Sequence, residues 1–477
     1  MAKSKPWFEV DPDGLRQLLA RKDPVFVLYE ILQNAWDENT TRVEVEIMDG
    51  CGDVGFRVTD DNPSGFRNLD EAHTLFAPSS KKADPEKRGR FNLGEKLVLA
   101  CCREAQITST TGRVVFNKHG RRRYRVTREA GTEFLATLKP GVATGAQLRR
   151  GLALLIPPVT TVVHGFAIIA PETIGTVRVS LPTVVANEQG EMKNGQRMAD
   201  VTLHVADEGW LFEMGIPVCP SGTPWHLNVN QKIPLGFERD STRESYLIAV
   251  RAAALDCATK EGLLNSAQAG EAWVTRAMED SRCNAPATAK VLDLRFGDKR
   301  AVYDPSDPEA NKRAVANGFT VLPGGCFGAA AWKKIREARA VEPAGKLFPT
   351  PKPYSPDGEP LNEVPISSWT LEEAAAISAL KAIAEALVEH AVAVRLVDDP
   401  GWRFRATYGP GNLVLNRPAI GREHLQTPLD VDILDLLLHE TAHEKEGDHL
   451  SENYHKAITR YGAMMALLLL KHPEMIG

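Results

Sequence analysis

The chain has 477 residues, of which 43% are hydrophobic and 25% are charged, and its formal net charge is -5 at pH 7. A single hydrophobic core stops growing at roughly 250–300 residues, so this length predicts two to four domains. The near-average composition excludes wholesale disorder, a fibrous repeat and a coiled coil, and the negative charge argues against general adhesion to nucleic acids.

The first part of the chain predicts helices followed by short strands. Residues 10–39 have largely helical spacing, and residues 43–47 alternate apolar and polar side chains as a half-buried strand does. A glycine-containing turn then leads into a second strand at 56–59, which predicts a β-hairpin. A polar segment at 78–90 precedes an apolar helix, and short strands continue to about residue 180.

The remainder of the chain alternates between strand-like and helical segments. Residues 177–235 are strand-like, and 247–278 form an alanine-rich helical stretch. Seven prolines between 343 and 365 favour an extended linker. Beyond the linker we expect, in chain order, a helix at 370–388, strands at 391–397 and 413–415, and two closing helices.

Three polar residues, Glu30, Asn34 and Asp37, lie on one face of a predicted helix at positions i, i+4 and i+7. Polar side chains along an apolar helix are costly to bury without partners, but a solvated helix face would explain this pattern equally well. Two further acids, Asp60 and Asp61, end the predicted second strand and open a turn of small residues.

Glycines follow these acids in two places. Gly65 lies in the acidic turn, whereas Gly89 and Gly94 enclose Asn92 and precede Lys96 where an apolar helix begins. Glycines at a helix N-terminus expose backbone N–H groups at the positive end of the helix dipole, which is a suitable cradle for phosphate. The pattern therefore indicates a phosphate-binding site.

In this order and spacing, the residues resemble the GHKL ATPase superfamily of gyrase B, the 90-kDa heat-shock chaperones, histidine kinases and MutL. The resemblance covers roughly residues 15–170 and implies an α/β sandwich that binds ATP with Mg²⁺. It assigns Glu30 as the general base for the attacking water. It assigns Asn34 as the Mg²⁺ ligand, with Asp37 supporting the same pocket.

The resemblance also implies contacts to the base and the phosphates. Asp61 would accept the adenine amino group, with Asp60 as a second candidate, and Gly65 would allow the base to approach closely. Thr132 and the glycine before it match the last motif of the family. The phosphate lid would contain Gly89, Asn92, Gly94 and Lys96. The family's acidic motif is Asp-x-Gly-x-Gly, and Pro63 replaces its first glycine here.

The same resemblance interprets residues 171–290 as a transducer-like domain. In gyrase-like relatives, a loop of this domain sends a lysine to the γ-phosphate. Lys232, in an Asn-Val-Asn-Gln-Lys loop, is the matching candidate, and an ordinary surface lysine is the alternative. Arg239 is a weaker candidate for a phosphate contact.

A second signal is the pattern His-Glu-Thr-Ala-His at residues 439–443. His439 and His443, at i and i+4, can share one Zn²⁺ on a helix face, and Glu440 can act on a water beside it. His449 returns a third imidazole after the helix breaks, and three protein ligands with an open fourth position indicate a catalytic site. Competing third ligands are Asp448, Glu452 and His455.

This segment resembles zincin metallopeptidases, especially compact SprT-like types, over about residues 370–470. The resemblance implies a protein substrate, paired by β-addition to an edge strand that we assign to residues 411–416. The three-histidine spacing also matches metzincins, although no methionine turn is present. The alternative is a helix of structural histidines.

Residues 118–128 are a concentrated basic stretch in the strand region of the first domain. A solvated hairpin explains it, and a contact to the phosphate backbone of DNA or RNA is the alternative. Seven scattered cysteines favour a reducing, cytoplasmic location, and the lack of about 18 consecutive apolar residues predicts no membrane span. We expect no secretory signal at the N-terminus.

The leading hypothesis is an α+β multidomain protein in which a GHKL ATPase is coupled to a zinc peptidase. The rival is a non-proteolytic ATP-operated clamp or chaperone with structural zinc, which could also be associated with DNA. ATP-dependent homodimerisation is typical of the relatives, and the whole architecture resembles proteins of phages and mobile elements. We expect five segments: a GHKL domain at 1–170, a transducer-like domain at 171–290, a small α/β connector at 291–345, a Pro-rich linker at 346–368 and a zincin-like domain at 369–477.

Overall fold

A computed structural model of the chain describes residues 11–19, 22–50, 52–75, 80–90, 92–187, 191–236, 240–305, 307–349, 360–409, 411–447, 449 and 451–475. The helices are α1 (Pro12–Leu18), α2 (Phe26–Trp36), α3 (Gly94–Cys101), α4 (Gly145–Ala153), α5 (Glu244–Lys260), α6 (Ser266–Ala269), α7 (Ala272–Glu279), α8 (Ala285–Phe296), α9 (Pro308–Ala316), α10 (Ala329–Glu337), α11 (Ala344–Leu347), α12 (Leu371–Val388), α13 (Arg417–Ile420), α14 (Val431–Ala442) and α15 (Glu452–Lys471).

The strands of the first half are β1 (Arg42–Gly50), β2 (Asp53–Asp60), β3 (Cys102–Ser109), β4 (Gly112–Asn117), β5 (Gly120–Tyr124), β6 (Glu133–Leu138), β7 (Thr160–Val163), β8 (Phe166–Ala167), β9 (Thr173–Ala186), β10 (Met192–Val205), β11 (Trp210–Glu213), β12 (Ile216–Pro220) and β13 (Trp225–Val229). Those of the second half are β14 (Arg300–Val302), β15 (Thr320–Leu322), β16 (Glu342–Pro343), β17 (Ala393–Val397), β18 (Ala406–Gly409) and β19 (Asn412–Asn416).

The chain divides into two compact units, one formed by Met1–Arg295 with Ala329–Ala338 and the other by Phe296–Gly328 with Arg339–Gly477. Several separate sheets with helices confirm the expected mixed α/β, multidomain character. The five predicted segment boundaries and the zincin-like character of the last segment stay predictions. Residues 350–359 of the expected linker lie outside the described residues.

The first unit is built on an eight-stranded sheet with the order β5-β4-β3-β6-β2-β1-β7-β8. Val43, Val45 and Ile47 of β1 are buried, and the alternate residues are exposed, so one sheet face packs against helices and the other faces solvent. The predicted hairpin is present, with Gly50 opposite Asp53. Helices α2, α3 and α4 bury their apolar residues in the same core.

A second sheet of the first unit has the order β12-β11-β13-β10-β9, and α5 packs against it. The predicted helical stretch at 247–278 is interrupted in the structure. α5 ends at Lys260, Gly262 adopts a positive φ of 70°, and Asn265 starts α6 with a capping box. Local turn chemistry therefore overrides the alanine-rich composition.

The described part of the second unit contains two three-stranded sheets. In the small parallel sheet, β15-β14-β16, the core is made of buried alanines contributed by β14, α9 and α11. The other sheet has the order β17-β19-β18, so the predicted edge strand at residues 411–416 is instead the central strand. β17 pairs with it in parallel and β18 pairs antiparallel on the other side, so β17 and β18 are the two outer strands among the described residues.

Two long helices of the second unit begin at defined caps. Thr370 and Glu373 form a capping box at α12, and Asp430 accepts the backbone N–H of Ile433 at α14. α14 packs against α12, α15 and β18. Within the described ranges, every helix is too short or too polar to cross a membrane.

Candidate functional site

A cleft of the first unit lies between α2 and the sheet and has a cavity volume of about 60 Å³. Ligand pockets usually have roughly 300–1,000 Å³, so a small-molecule ligand fits here only if the walls of the cleft move apart. Its apolar walls are Ile31, Ala35, Val58, Ile107 and Phe134. Its polar groups include Asn34, Glu38, Asp60, Lys81, Glu95 and Thr132. Of the two acids that the sequence offered for the adenine contact, only Asp60 lines this cleft.

The Asp60 carboxylate is held at the cleft by two backbone N–H groups. Oδ1 accepts from Asn62 at 3.0 Å and from Thr132 at 3.1 Å, while Oδ2 accepts no hydrogen bond from the described residues. Burial raises the pKa of Asp60 to about 6, against the effect of these two bonds. One carboxylate oxygen is therefore available to a ligand.

Asp61 turns away from the cleft into a structural role. Its carboxylate accepts from the Thr40 hydroxyl, from the Thr41 N–H at 2.8 Å and from the Arg42 N–H at 3.1 Å. Burial is the largest single influence on Asp61 and opposes ionisation, but the hydrogen bonds together outweigh it and hold the pKa of Asp61 well below its usual range. The placement favours Asp60, the second candidate of the sequence analysis, over Asp61.

Two glycines allow the acidic turn and the last motif to approach each other. At Gly131, with a φ of 76°, a Cβ would lie 1.9 Å from the Asp60 carbonyl oxygen. At Gly65, with a φ of 56°, a Cβ would lie 2.5 Å from the Ser109 hydroxyl oxygen. A side chain at Gly131 would push Asp60 away from Thr132, whereas a side chain at Gly65 would displace Ser109.

Glu30 is buried beneath the start of α3 and does not line the cleft. A Cβ at Gly94 would lie only 2.0 Å from the Glu30 Oε2 atom, so the missing side chain makes room for the carboxylate. Beside it, Asn34 Nδ2 donates to Glu95 Oε1 at 2.9 Å. Glu95, which sequence reasoning missed, thus joins Asn34 in the cleft.

Asp37 anchors the segment before α3. Its carboxylate pairs with Arg88 Nη1 at 2.8 Å and accepts the backbone N–H groups of Arg88 and Gly89 at 2.8 and 3.0 Å. The adjacent Arg90 forms a buried ion pair with Glu213 of β11. A buried acid whose oxygens are all directed at one segment holds that segment in place.

Lys96 and Asn92 interact at the start of α3. The buried Lys96 ammonium donates to Asn92 Oδ1 at 2.9 Å and lies 3.4 Å from Glu95 Oε2. Burial lowers the pKa of Lys96. Asn92 has a positive φ of 52°, which turns the chain into the helix.

Lys232 is fully buried in the loop that follows β13 of the second sheet, and its side chain reaches the segment that precedes α3. Its ammonium donates to the carbonyl oxygens of Lys81 at 2.6 Å and Lys82 at 3.0 Å. Burial, followed by the charge of Arg90, lowers the pKa of Lys232 to about 8. Because its side chain is buried, Lys232 is not the ordinary surface lysine that the sequence offered as an alternative. Arg239, the weaker candidate for phosphate, lies outside the described residues.

A histidine cluster is the candidate metal centre of the second unit. Donor atoms of His439, His443 and His449 all lie within 4.8 Å of one another. The Nε2 atoms of His439 and His449 are 3.1 Å apart, a separation suited to two ligands that share one tetrahedral Zn²⁺ with Zn–N distances of about 2.0–2.1 Å. Three imidazoles therefore fit a zinc ion.

The opposite ring nitrogens of two histidines face hydrogen-bond partners. His439 Nδ1 lies 3.0 Å from the Tyr454 hydroxyl, and His443 Nδ1 lies 3.3 Å from the Glu446 carbonyl oxygen. Such partners fix the tautomer that presents the other nitrogen to a metal. Tyr454, which sequence reasoning missed, is buried against all three imidazole rings.

The competing third ligands do not join this cluster. Glu452 and His455 are absent from the group of close donors among the described residues, and Asp448 lies outside the described residues. Glu440 is buried on α14 between the two helical histidines. Burial and then the charge of Glu440 raise the pKa of Tyr454, which places the Glu440 carboxylate near the cluster.

Comparisons with known proteins give limited similarity. No family model matches the chain, and no curated protein matches it. Among solved structures, the ATPase region of Saccharomyces cerevisiae topoisomerase II is 14% identical, with a TM-score of 0.32 over 47% of this chain and 78% of that chain. The ATPase and transducer domains of DNA topoisomerase II from Balamuthia mandrillaris are 11% identical, with a TM-score of 0.31 over 47% and 81%. At these values, neither similarity supports a conclusion about function.

Proposed function

We propose that the chain is an ATP-operated switch of GHKL type that also carries a zinc-dependent peptidase centre acting on protein substrates. The ATPase part rests on the placement of two acids: Asp60 lines the cleft, and Glu30 packs under Gly94 at the start of α3. This placement supplies an acceptor for a hydrogen bond from the adenine amino group and a carboxylate beside a helix N-terminus that suits phosphate.

In this proposal, the cleft residues bind and orient ATP. The apolar walls enclose the adenine ring, and Asp60 Oδ2 accepts a hydrogen bond from the adenine amino group. Asn34 and Glu95 carry oxygen atoms of the kind that Mg²⁺ prefers and fit that ion, which supplies charge neutralisation at the phosphates when bound. Glu30 takes the proton of the attacking water, and the N–H groups of α3 with Lys96 hold the phosphates.

Lys232 and Asp37 have supporting roles in this proposal. Asp37 fixes the segment that carries Gly89, so it acts on the lid and not on the metal. The Lys232 ammonium donates to the neutral carbonyl oxygens of Lys81 and Lys82, and an incoming phosphate is a stronger partner for it than a carbonyl oxygen. Exchange of these partners would couple nucleotide binding to the second sheet.

The peptidase part rests on the three convergent imidazoles, which fit Zn²⁺. The ion supplies a Lewis acid when bound. His439, His443 and His449 would hold it, and Glu440 would take a proton from water. The outer edge of β18 replaces residues 411–416 as the proposed site for pairing an extended protein substrate. β18 packs against α14, and within the described residues it pairs with β19 alone.

Replacing Asp60 with Asn should weaken ATP binding about 10- to 100-fold, since a hydrogen bond to a charged group contributes about 1.5–3 kcal/mol. Because the pKa of Asp60 is about 6, wild-type affinity should also fall as the pH is lowered from 7 to 5 and the carboxylate gains a proton. Calorimetric titration measures both effects. As the matched control, Asp61→Asn should lower the Tm while retaining most of the affinity, and the reverse result would restore Asp61 as the adenine acceptor.

The basic stretch favours an additional contact to nucleic acid. Residues 118–127 are exposed, and β5 forms an edge of the eight-stranded sheet. Six basic and no acidic residues lie between 118 and 128. Arg121, Arg122 and Arg125 have no ion-pair partner among the described residues. A polyanion such as the DNA backbone matches this edge in charge, and DNA is the partner that we propose.

Changing Arg121, Arg122 and Arg125 together to Gln should weaken DNA binding and reduce the slope of log K against log salt by about 3, roughly one for each lost phosphate contact. Fluorescence anisotropy at several salt concentrations measures this slope. A control with Arg178, Lys193 and Arg276 changed to Gln removes equal charge from exposed sites elsewhere in the first unit. Equal losses in both variants would show a general charge effect and contradict a DNA site on β5.

A further inference from the structure

A carboxylate from the small parallel sheet lies behind one ring of the histidine cluster. Asp304 Oδ1 is 4.0 Å from His449 Nδ1, and both side chains are largely buried, at 12% and 13% exposed. We propose that Asp304 is a positioning residue that orients His449 and thereby strengthens Zn²⁺ binding by the cluster. This inference rests on the metal centre of the proposed function and assigns a new residue to it.

The two nitrogens of the His449 ring face different partners. Nε2 is directed at His439 Nε2, 3.1 Å away, and so toward the point where the three imidazoles converge. Nδ1 is the nitrogen closer to Asp304. Asp304 is not part of the group of close donors, so it belongs behind the ring and not among the ligands.

Asp304 is itself held in a defined position. Its N–H donates to Asn311 Oδ1 at 2.8 Å, and its carbonyl oxygen accepts from Asn311 Nδ2 at 2.5 Å. A Cβ at Gly345 would lie 2.2 Å from Asp304 Oδ2, so the carboxylate packs directly against that glycine. The end of β14, helix α9 and the start of α11 thus fix the acid behind His449.

A negative charge behind an imidazole has a definite effect on metal binding. It favours the tautomer that carries its proton on Nδ1, because that proton then points at the carboxylate and Nε2 keeps its lone pair for the metal. At 4.0 Å the interaction is electrostatic and not a hydrogen bond. The Nδ1 atoms of His439 and His443 face neutral groups, the Tyr454 hydroxyl and the Glu446 carbonyl oxygen. The Nδ1 atom of His449 instead faces a charged carboxylate.

The proposed role of Asp304 gives the predicted connector a function. From the sequence alone, residues 291–345 are a small α/β connector to which no chemistry is assigned. In the structure, Phe296–Gly328 and Arg339–Gly477 belong to one compact unit, and Asp304 lies at the end of the connector's central strand. The connector would therefore complete the metal centre.

The test uses the full-length protein with Asp304→Asn, which removes the charge and keeps the size of the side chain. Competition with a chromophoric chelator measures Zn²⁺ affinity, and Co²⁺ absorption reports the geometry of the metal site. We expect affinity to fall about 10- to 100-fold, as for loss of other carboxylates behind metal-binding histidines, and the Co²⁺ spectrum to change. The matched control is Glu309→Gln. Glu309 is an acid in the first turn of α9, which packs against the same small sheet, and its replacement should leave both measurements unchanged.

Affinity equal to that of the wild type in Asp304→Asn would overturn the inference. If metal-free Asp304→Asn also loses thermal stability, a second variant, Asp304→Glu, separates the two effects because it restores the charge. Zn²⁺ affinity near that of the wild type in Asp304→Glu supports the positioning role. Affinity as weak as that of Asp304→Asn contradicts that role. A wild-type protein that binds no Zn²⁺ overturns both the inference and the proposed centre. A wild type that binds Zn²⁺ with this dependence on Asp304 but cleaves no protein overturns only the peptidase proposal.

Discussion

We expect the Glu440→Gln protein to retain its Zn²⁺ and to cleave proteins about 10²- to 10⁴-fold more slowly than the wild type, the usual contribution of a general base. Glutamine preserves the size of the buried side chain but cannot accept a proton from water. The three imidazoles that would hold the ion are unchanged, so binding and chemistry are separated. The measurements are zinc content and cleavage of unfolded and DNA-bound proteins.

The matched control for this experiment is Glu452→Gln. Glu452 is an exposed acid at the start of α15 and was a competing candidate for the third ligand. This variant should keep both zinc and cleavage. A Glu440→Gln protein that still cleaves, or a wild type that cleaves none of the substrates, would favour the rival: an ATP-operated clamp with structural zinc. Among the described residues the donor set consists of three histidines, which favours the catalytic alternative, since structural zinc sites have four protein ligands.

The second large effect is expected at Glu30. Glu30→Gln should bind ATP with Mg²⁺ almost as the wild type does and hydrolyse it about 10²- to 10⁴-fold more slowly, because the missing carboxylate is the proposed base. Glutamine keeps the close packing against Gly94, where even one added carbon would lie 2.0 Å from the Glu30 oxygen. Equilibrium nucleotide binding and phosphate release are the two measurements.

Glu46→Gln is the matched control for the ATPase experiment. Glu46 lies on the solvent-facing side of β1 and pairs with Arg57, so its loss should leave both binding and hydrolysis intact. A wild type that fails to bind ATP with Mg²⁺ would refute the nucleotide assignment altogether. Hydrolysis that persists in Glu30→Gln would leave the site in place but require a different base.

Local sequence patterns predicted the regular elements of the candidate sites well. The alternation at residues 43–47 predicted β1 with its buried and exposed faces, because side chains on a strand alternate with a period of two. The spacing of His439 and His443 predicted that both lie on one side of α14, because residues at i and i+4 share a helix face. These inferences need only the geometry of one element.

Sequence patterns were less informative where neighbouring residues compete for one role. Asp60 and Asp61 are adjacent, and one of them faces the cleft while the other caps the start of β1. The sequence also did not predict the strand order. Residues 411–416 were expected to form an edge strand, but they pair on both sides and form the centre of their sheet. Both outcomes depend on contacts with segments that are distant in the chain.

The sequence by itself determined the mixed α/β character of the chain, the hairpin of β1 and β2, and the candidate polar residues of both sites, because these follow from periodicity and residue chemistry. Only the tertiary structure decided which residues meet: Asp60 with Thr132, Glu30 with Gly94, Lys232 with the Lys81 carbonyl, and Asp304 with His449. Their separation in sequence reaches 151 residues for Lys232 and Lys81. No local pattern encodes such a pairing, since it is set by how the sheets and helices pack together.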